Sequence, residues 1–282
     1  MTNKSIIWIT GASSGIGKSL CLHYSQLGWK VIASSRNEKK LSEIFQHYSN
    51  IDCMPCDVSD ENSVRCVSDK IHQDYGFISH LVVNAGNCEY VDEMPIDSSM
   101  AQRLFSVNTL GAIHSVNASL QLFQQCQSNT GKKPHIIAIS SQVIFAPFTR
   151  AELYGASKAA MDYLMQSWRL DLAVYNIDMT IVYPGFVDTP LTQKNSFDMP
   201  FLQTPEQAVK AIHKAVRRRP RTLIFPKSLY VCLFFSRVFP KLWQSIMLKG
   251  QRAEMQLAAP SSNISAPHQS HSVSNIHGVD RP

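Results

Sequence analysis

Through the first 225 residues, short runs of β-branched and aliphatic residues alternate with segments of helical period. The runs are SIIWIT (5–10), KVIAS (30–34), 51–55, HLVVN (80–84), HIIAIS (135–140), DMTIVY (178–183) and RTLIF (221–225). Runs this short and continuously apolar predict strands buried on both faces. The intervening patterns predict helices over 15–27, 38–48, 61–75 (capped by Ser59 or Asp60), 97–127, 151–175 and 205–217. Regular strand–helix alternation permits right-handed crossovers and little else. The expected fold is therefore α/β, a Rossmann-type doubly wound sheet of about seven parallel strands with helices on both faces. Ligands bind beyond the carboxyl ends of such strands, so the residues just past each strand carry the information.

The chain has 282 residues, enough for one large domain with a substantial core. Residues 1–226 are read as that domain. Residues 227–250 form an apolar and basic helical extension, and 251–282 a polar tail rich in Ser, Asn, His and Pro, expected to be disordered. The formal charge is only +6, and the basic residues are not interleaved with aromatics, so nucleic acid is not an expected partner. Seven cysteines show no framework spacing, and no signal peptide is visible at Met1–Lys4, so a reducing, cytoplasmic setting is expected. Cys53 and Cys56 have the CxxC spacing but no second ligand pair. No metal site is expected, since His80, His114 and His135 show no ligand spacing, and the tail histidines His268, His271 and His277 read as solvated.

After the first strand comes TGASSGIG, 10–17. Gly11, Gly15 and Gly17 allow a tight turn and the approach of a phosphate to a helix N-terminus. The second strand ends in Arg36 with no acidic residue beside it. A guanidinium there suits a ribose 2′-phosphate, so NADP(H) is the preferred cofactor and NAD(H) the second choice. Asp57 and Val58 come after the third strand. Asn84, Ala85 and Gly86 come after the fourth, where small residues leave room for a flat ring. Ser141 comes after the fifth, and Pro184, Gly185 and Thr189 after the sixth. In YGASK, Tyr154 and Lys158 stand four apart, one turn apart on one helix face.

Taken together, TGASSGIG, NAG at 84–86, Asn108 in VNTLG, Ser141, YGASK at 154–158 and PG at 184–185 resemble the short-chain dehydrogenase/reductase family in order and spacing, over about residues 4–225. The resemblance implies nicotinamide-dependent oxidation or reduction of a CH–OH/C=O group, and a homo-oligomer. It makes Tyr154 the general acid/base, Lys158 its partner, Ser141 the group that orients the substrate oxygen and Asn108 the support of a proton-relay water. The implied cofactor contacts are Gly11, Ser13, Ser14, Gly15, Ile16, Gly17, Arg36, Asp57, Val58, Asn84, Ala85, Gly86, Tyr154, Lys158, Pro184, Gly185, Val187 and Thr189. Some NADP-preferring members carry a base where this chain has Ser14, so the NADP(H) reading rests on Arg36.

The chemistry needs a proton donor for the alkoxide left by hydride transfer. A phenol titrates near 10, and a nearby ammonium is expected to lower that value. A drop of about three units corresponds to about 4 kcal/mol. The alternative function is a nucleotide-binding regulatory or scaffold protein with the same fold and no useful turnover.

The substrate side is expected in 186–202, with Leu191, Phe197, Met199 and Phe201, facing Val143, Ile144, Phe145 and Phe148. These predict a hydrophobic carbonyl or alcohol substrate. Residues 228–248 are apolar but broken by Arg237, Pro240 and Lys241, too short a run to span a bilayer. Two short amphipathic helices are expected there. Their possible tasks are docking on a partner subunit, capping the substrate site, or peripheral membrane contact through 217–249.

Overall fold

The computed structural model describes residues 5–92, 94–194 and 199–258, with side chains for all of these except 194 and 251–258. Seven strands form one parallel sheet in the order β3-β2-β1-β4-β5-β6-β7. They are β1 (Ile6–Thr10), β2 (Lys30–Ser34), β3 (Ile51–Cys53), β4 (His80–Val83), β5 (His135–Ile139), β6 (Asp178–Pro184) and β7 (Thr222–Phe225). The order reverses between β1 and β4, which makes the crevice above them the expected binding place.

Successive side chains of a strand point to opposite faces, so β1 feeds two cores. Ile6 and Trp8 join one, while Ile7 and Ile9 join the other. The first core is closed by α3 (Glu61–Tyr75), α5 (Gly111–Thr130) and α6 (Glu152–Val174). The second is closed by α1 (Gly15–Gln26), α2 (Glu38–Phe45) and α7 (Pro205–Arg218). Helix starts obey local chemistry: Asp60 caps α3 by accepting from the Asn62 N–H, and α7 opens with a Thr204/Gln207 capping box and Pro205.

The helical region read at 97–127 is α4 (Ser98–Phe105), a π-turn at Ser106–Leu110, then α5. The wide turn falls on the VNTLG stretch that contains Asn108. Beyond β7, α8 (Lys227–Val238) and α9 (Pro240–Ala258) pack on each other. Pro240 separates them, as a residue that cannot continue the preceding helix. α9 runs past 250, where the sequence pattern places the start of the polar tail. Positions 259–282, including the tail histidines, lie outside the described residues.

Candidate active site

The strand ends of β1 and β4 are stapled together. The Thr10 hydroxyl donates to Val82 O at 3.2 Å and accepts from the N–H groups of Asn84 and Ala85 at 3.0 and 3.1 Å. Asn84 Nδ2 donates to Thr10 O and Gly11 O at 2.9 and 3.2 Å. Asn84 therefore braces the first turn as well as bordering the crevice. The packing explains the glycines: Gly11 has φ +68°, and a Cβ on Gly17 would lie 2.4 Å from Gly11 O. Ser14, the N-cap of α1, makes no side-chain capping bond, so the first-turn N–H groups remain available to an anion.

Above this turn lies a cleft of about 420 Å³. Its wall includes Gly11, Ser13, Ser14, Gly15, Ile16, Arg36, Asp57, Val58, Asn84, Ala85 and Gly86 on one side, and Pro184, Gly185, Val187 and Thr189 on the other; Ser141, Tyr154 and Lys158 also border it. Two expected residues are not in its lining. Gly17 acts through packing, and Asn108 lies beneath, 1% exposed. Sequence reasoning missed Asn37 and Lys40, which also border the cleft. Asn37 caps α2 by accepting from the Lys40 N–H at 2.9 Å, and this places a second cation one turn from Arg36. The signal is present in the sequence as a cap with a lysine in the first turn after it.

The side-chain amide of Asn108 is held by protein partners. Its Oδ1 accepts from the Asn87 N–H at 2.8 Å, and its Nδ2 donates to Asn87 O and Ser157 Oγ, each at 2.9 Å. Ser157 Oγ in turn donates to Tyr154 O at 2.8 Å. The π-turn thus ties the loop after β4 to the helix turn that carries Tyr154.

Lys158 is buried, and its Nζ donates to Ile139 O at 3.0 Å. Burial lowers its pKa to about 8, with the neighbouring Cys88 thiol opposing. Burial pushes the Tyr154 phenol above its ordinary range; Cys88 adds to this, and a hydrogen bond with Ser141 opposes it. The sequence leads to the expectation of a phenol lowered by its lysine. Among the protein's own groups the direction is opposite, because desolvation of the phenolate outweighs the favourable hydrogen bond with Ser141.

Ser141 caps a short 3₁₀ turn (Gln142–Phe145), accepting from the Val143 N–H at 3.2 Å. The side chain of the next residue, Gln142, reaches the other way. Its Nε2 donates to Phe225 O at 2.9 Å and Pro226 O at 3.2 Å, at the end of β7 and the start of α8.

On the far side of Ser141 and Tyr154 opens a second, mostly apolar chamber of about 520 Å³. Of the residues expected there, Val143, Phe148, Leu191 and Phe201 line it. Ile144 and Phe145 instead pack against the core, with the Phe145 ring 5.1 Å from Tyr183 and 4.9 Å from Tyr230. Met199 is half-buried outside the lining, and Phe197 lies outside the described residues. The roof comes from the C-terminal helices: Leu229 and Leu233 of α8, and Trp243, Ile246 and Met247 of α9. Trp243 latches it, donating from Nε1 to Pro147 O at 2.7 Å and meeting Phe148 edge-on at 5.5 Å.

Among the described residues no group of three His, Cys, Asp or Glu could hold a metal ion. Cys53 and Cys56 are free, and burial raises both thiols, Cys56 to about 11.

The family model described as "short chain dehydrogenase" matches residues 5–199, and the chain belongs to that family. An uncharacterized oxidoreductase of Myxococcus xanthus is 28% identical over 236 residues, covering 82% of this chain and 91% of its relative. The 11-beta-hydroxysteroid dehydrogenase 1A of Arabidopsis thaliana is 30% identical over 68% of this chain and 55% of its own length. Among solved structures, a short chain dehydrogenase/reductase from Burkholderia phymatum in complex with NAD matches with a TM-score of 0.76 at 18% identity, over 85% of this chain and 95% of that one. That likeness shows the fold.

Proposed function

We propose that this chain is an oxidoreductase that transfers hydride between NADP(H) and the carbonyl or alcohol carbon of a hydrophobic substrate. The observation that carries the reading is that Ser141 and Tyr154 border both cavities, the polar cleft and the apolar chamber. A reacting oxygen at that border has a hydroxyl and a phenol within reach, with a buried ammonium one helix turn below.

The donor set fits a dinucleotide. The N-terminus of α1 and the glycine turn suit its phosphates, Asp57 and Val58 would flank the base, and Arg36 with Lys40 would hold a 2′-phosphate. The chemistry such a group supplies is hydride transfer. In the reductive direction, Ser141 Oγ orients the carbonyl oxygen and Tyr154 Oη gives it a proton as the carbon receives hydride. A phenol kept protonated by burial is already loaded for that step. Lys158 stabilises the phenolate that remains until solvent returns the proton. The name of the Arabidopsis relative, a hydroxysteroid dehydrogenase, agrees with an apolar substrate.

Self-association is part of the proposal. On α6, Tyr163, Leu170 and Val174 are exposed, and their i, i+7, i+11 spacing puts them on one helix face. An exposed apolar face of this kind can pair with its own copy about a two-fold axis.

The test is a panel of carbonyls followed by NADPH and NADH absorbance, on the natural chain and on Tyr154→Phe. Turnover lost with nucleotide binding retained supports the enzyme. Biological activity unchanged in Tyr154→Phe would favour a scaffold that only binds nucleotide.

A further inference from the structure

Building on the apolar-substrate reading, we infer that the outer face of the α8–α9 hairpin docks on an anionic lipid surface, and that the apolar chamber opens onto that face. The two helices are apolar on two sides. One side roofs the chamber through Leu229, Leu233, Trp243 and Met247. The other presents Val231, Phe234, Phe235, Val238, Phe239 and Leu242, all more than half exposed. Phe235 and Phe239 stack on each other at 6.3 Å with this exposure. A contiguous exposed patch of this size and composition marks a contact surface. Ile246 joins the two sides, since it lines the chamber and is 49% exposed; Phe201 does the same from the opposite lip at 47%.

Charge identifies the occupant. Lys227, Arg237, Lys241 and Lys249 are exposed on the same two helices, and no Asp or Glu occurs anywhere from 207 to 253. A second copy docking here about a two-fold axis would bring like charges together with no acid to pair them. A bilayer with anionic headgroups offers both the missing charge and an apolar layer for the aromatic side chains. Among the described residues no helix is long and apolar enough to cross a membrane, so the hairpin would lie in the interface. A substrate dissolved in that layer would meet the chamber mouth without crossing water.

The experiment is flotation of the full chain with phosphatidylcholine vesicles, with and without phosphatidylserine, together with turnover of a small water-soluble carbonyl. The chain is expected to float with the serine-containing vesicles and to be released by high salt. Arg237→Glu with Lys241→Glu should lower the bound fraction by about tenfold or more. Phe234→Ser with Phe235→Ser should also abolish flotation, yet leave turnover of the soluble carbonyl unchanged, because neither side chain lines the chamber. A natural chain that ignores both vesicle types overturns the inference. So does an oligomer in lipid-free buffer that the phenylalanine pair dissociates, since the face would then belong to a second copy. Failure of the oxidoreductase reading would register separately, as no turnover with either nucleotide whatever the flotation result.

Discussion

The two cavities that meet at Tyr154 are built from opposite materials. The polar cleft is built mainly from the loops at the ends of β1 to β6, held by backbone hydrogen bonds and close glycine contacts. The apolar chamber is made of side chains from the 3₁₀ turn after β5, the segment around Leu191 and Phe201, and the two C-terminal helices. The first can hold one kind of ligand and tolerates little change in shape. The second can be re-cut by changing a side chain, because most of its lining comes from side chains outside the sheet. A rigid cleft for a common reactant beside an adjustable chamber for a particular one is a division of labour that the fold itself imposes.

The largest effect should come where the regions touch. Tyr154→Phe removes the proposed proton donor, which borders both cavities, and should lower turnover about 10³-fold while nucleotide titration is unchanged. If both were lost, the phenol would be structural and the contrast would fail. Next, Gly17→Ala should damage the cleft alone. The new Cβ would fall 2.4 Å from Gly11 O and 2.5 Å from Asn84 Nδ2, so nucleotide binding should be lost and stability should drop by about 1–3 kcal/mol, read as a lower Tm.

Those two regions were also unequally legible. Gly11, Gly15 and Gly17 declare themselves because a turn between strand and helix requires their residue type. Tyr154 and Lys158 declare themselves because a helix fixes their spacing. Asn108 could be matched by resemblance, but its bracing of Asn87 and Ser157 depends on a π-turn that no local preference signals. The chamber roof is the opposite case. Trp243, Ile246, Met247 and Gly250 are spaced i, i+3, i+4 and i+7, so a helical face is readable. Periodicity does not say which cavity that face covers, because that depends on the path of the chain after Phe225. Lys40 is an intermediate case: the cap at Asn37 is readable in the sequence, but that its first turn borders the cleft is not.

Smaller changes sharpen the contrast. Arg36→Ala should raise the KM for NADPH about tenfold or more and leave that for NADH nearly unchanged, since one charge-assisted pair contributes about 1.5–3 kcal/mol. Equal effects on both nucleotides would show that Arg36 does not read the 2′-phosphate. Met247→Trp should narrow the chamber and raise the KM for bulky apolar carbonyls about tenfold, on the scale of a few methylenes, with small carbonyls unaffected. The mildest effect should come from pH. Lys158 keeps its proton below about 8 and loses it as pH rises through that value. The reductive rate should therefore hold at neutral pH and decline above about 8, measured with a carbonyl that does not itself titrate.

Gln142 gives this arrangement a mechanical reading. Its backbone is joined directly to Ser141, and its amide grips the carbonyls of Phe225 and Pro226, from which α8 departs. The departure point of the C-terminal hairpin is therefore fixed one peptide bond from Ser141. The roof is thus tied to the turn after β5 at both ends, through Gln142 beside Ser141 and through Trp243 at Pro147.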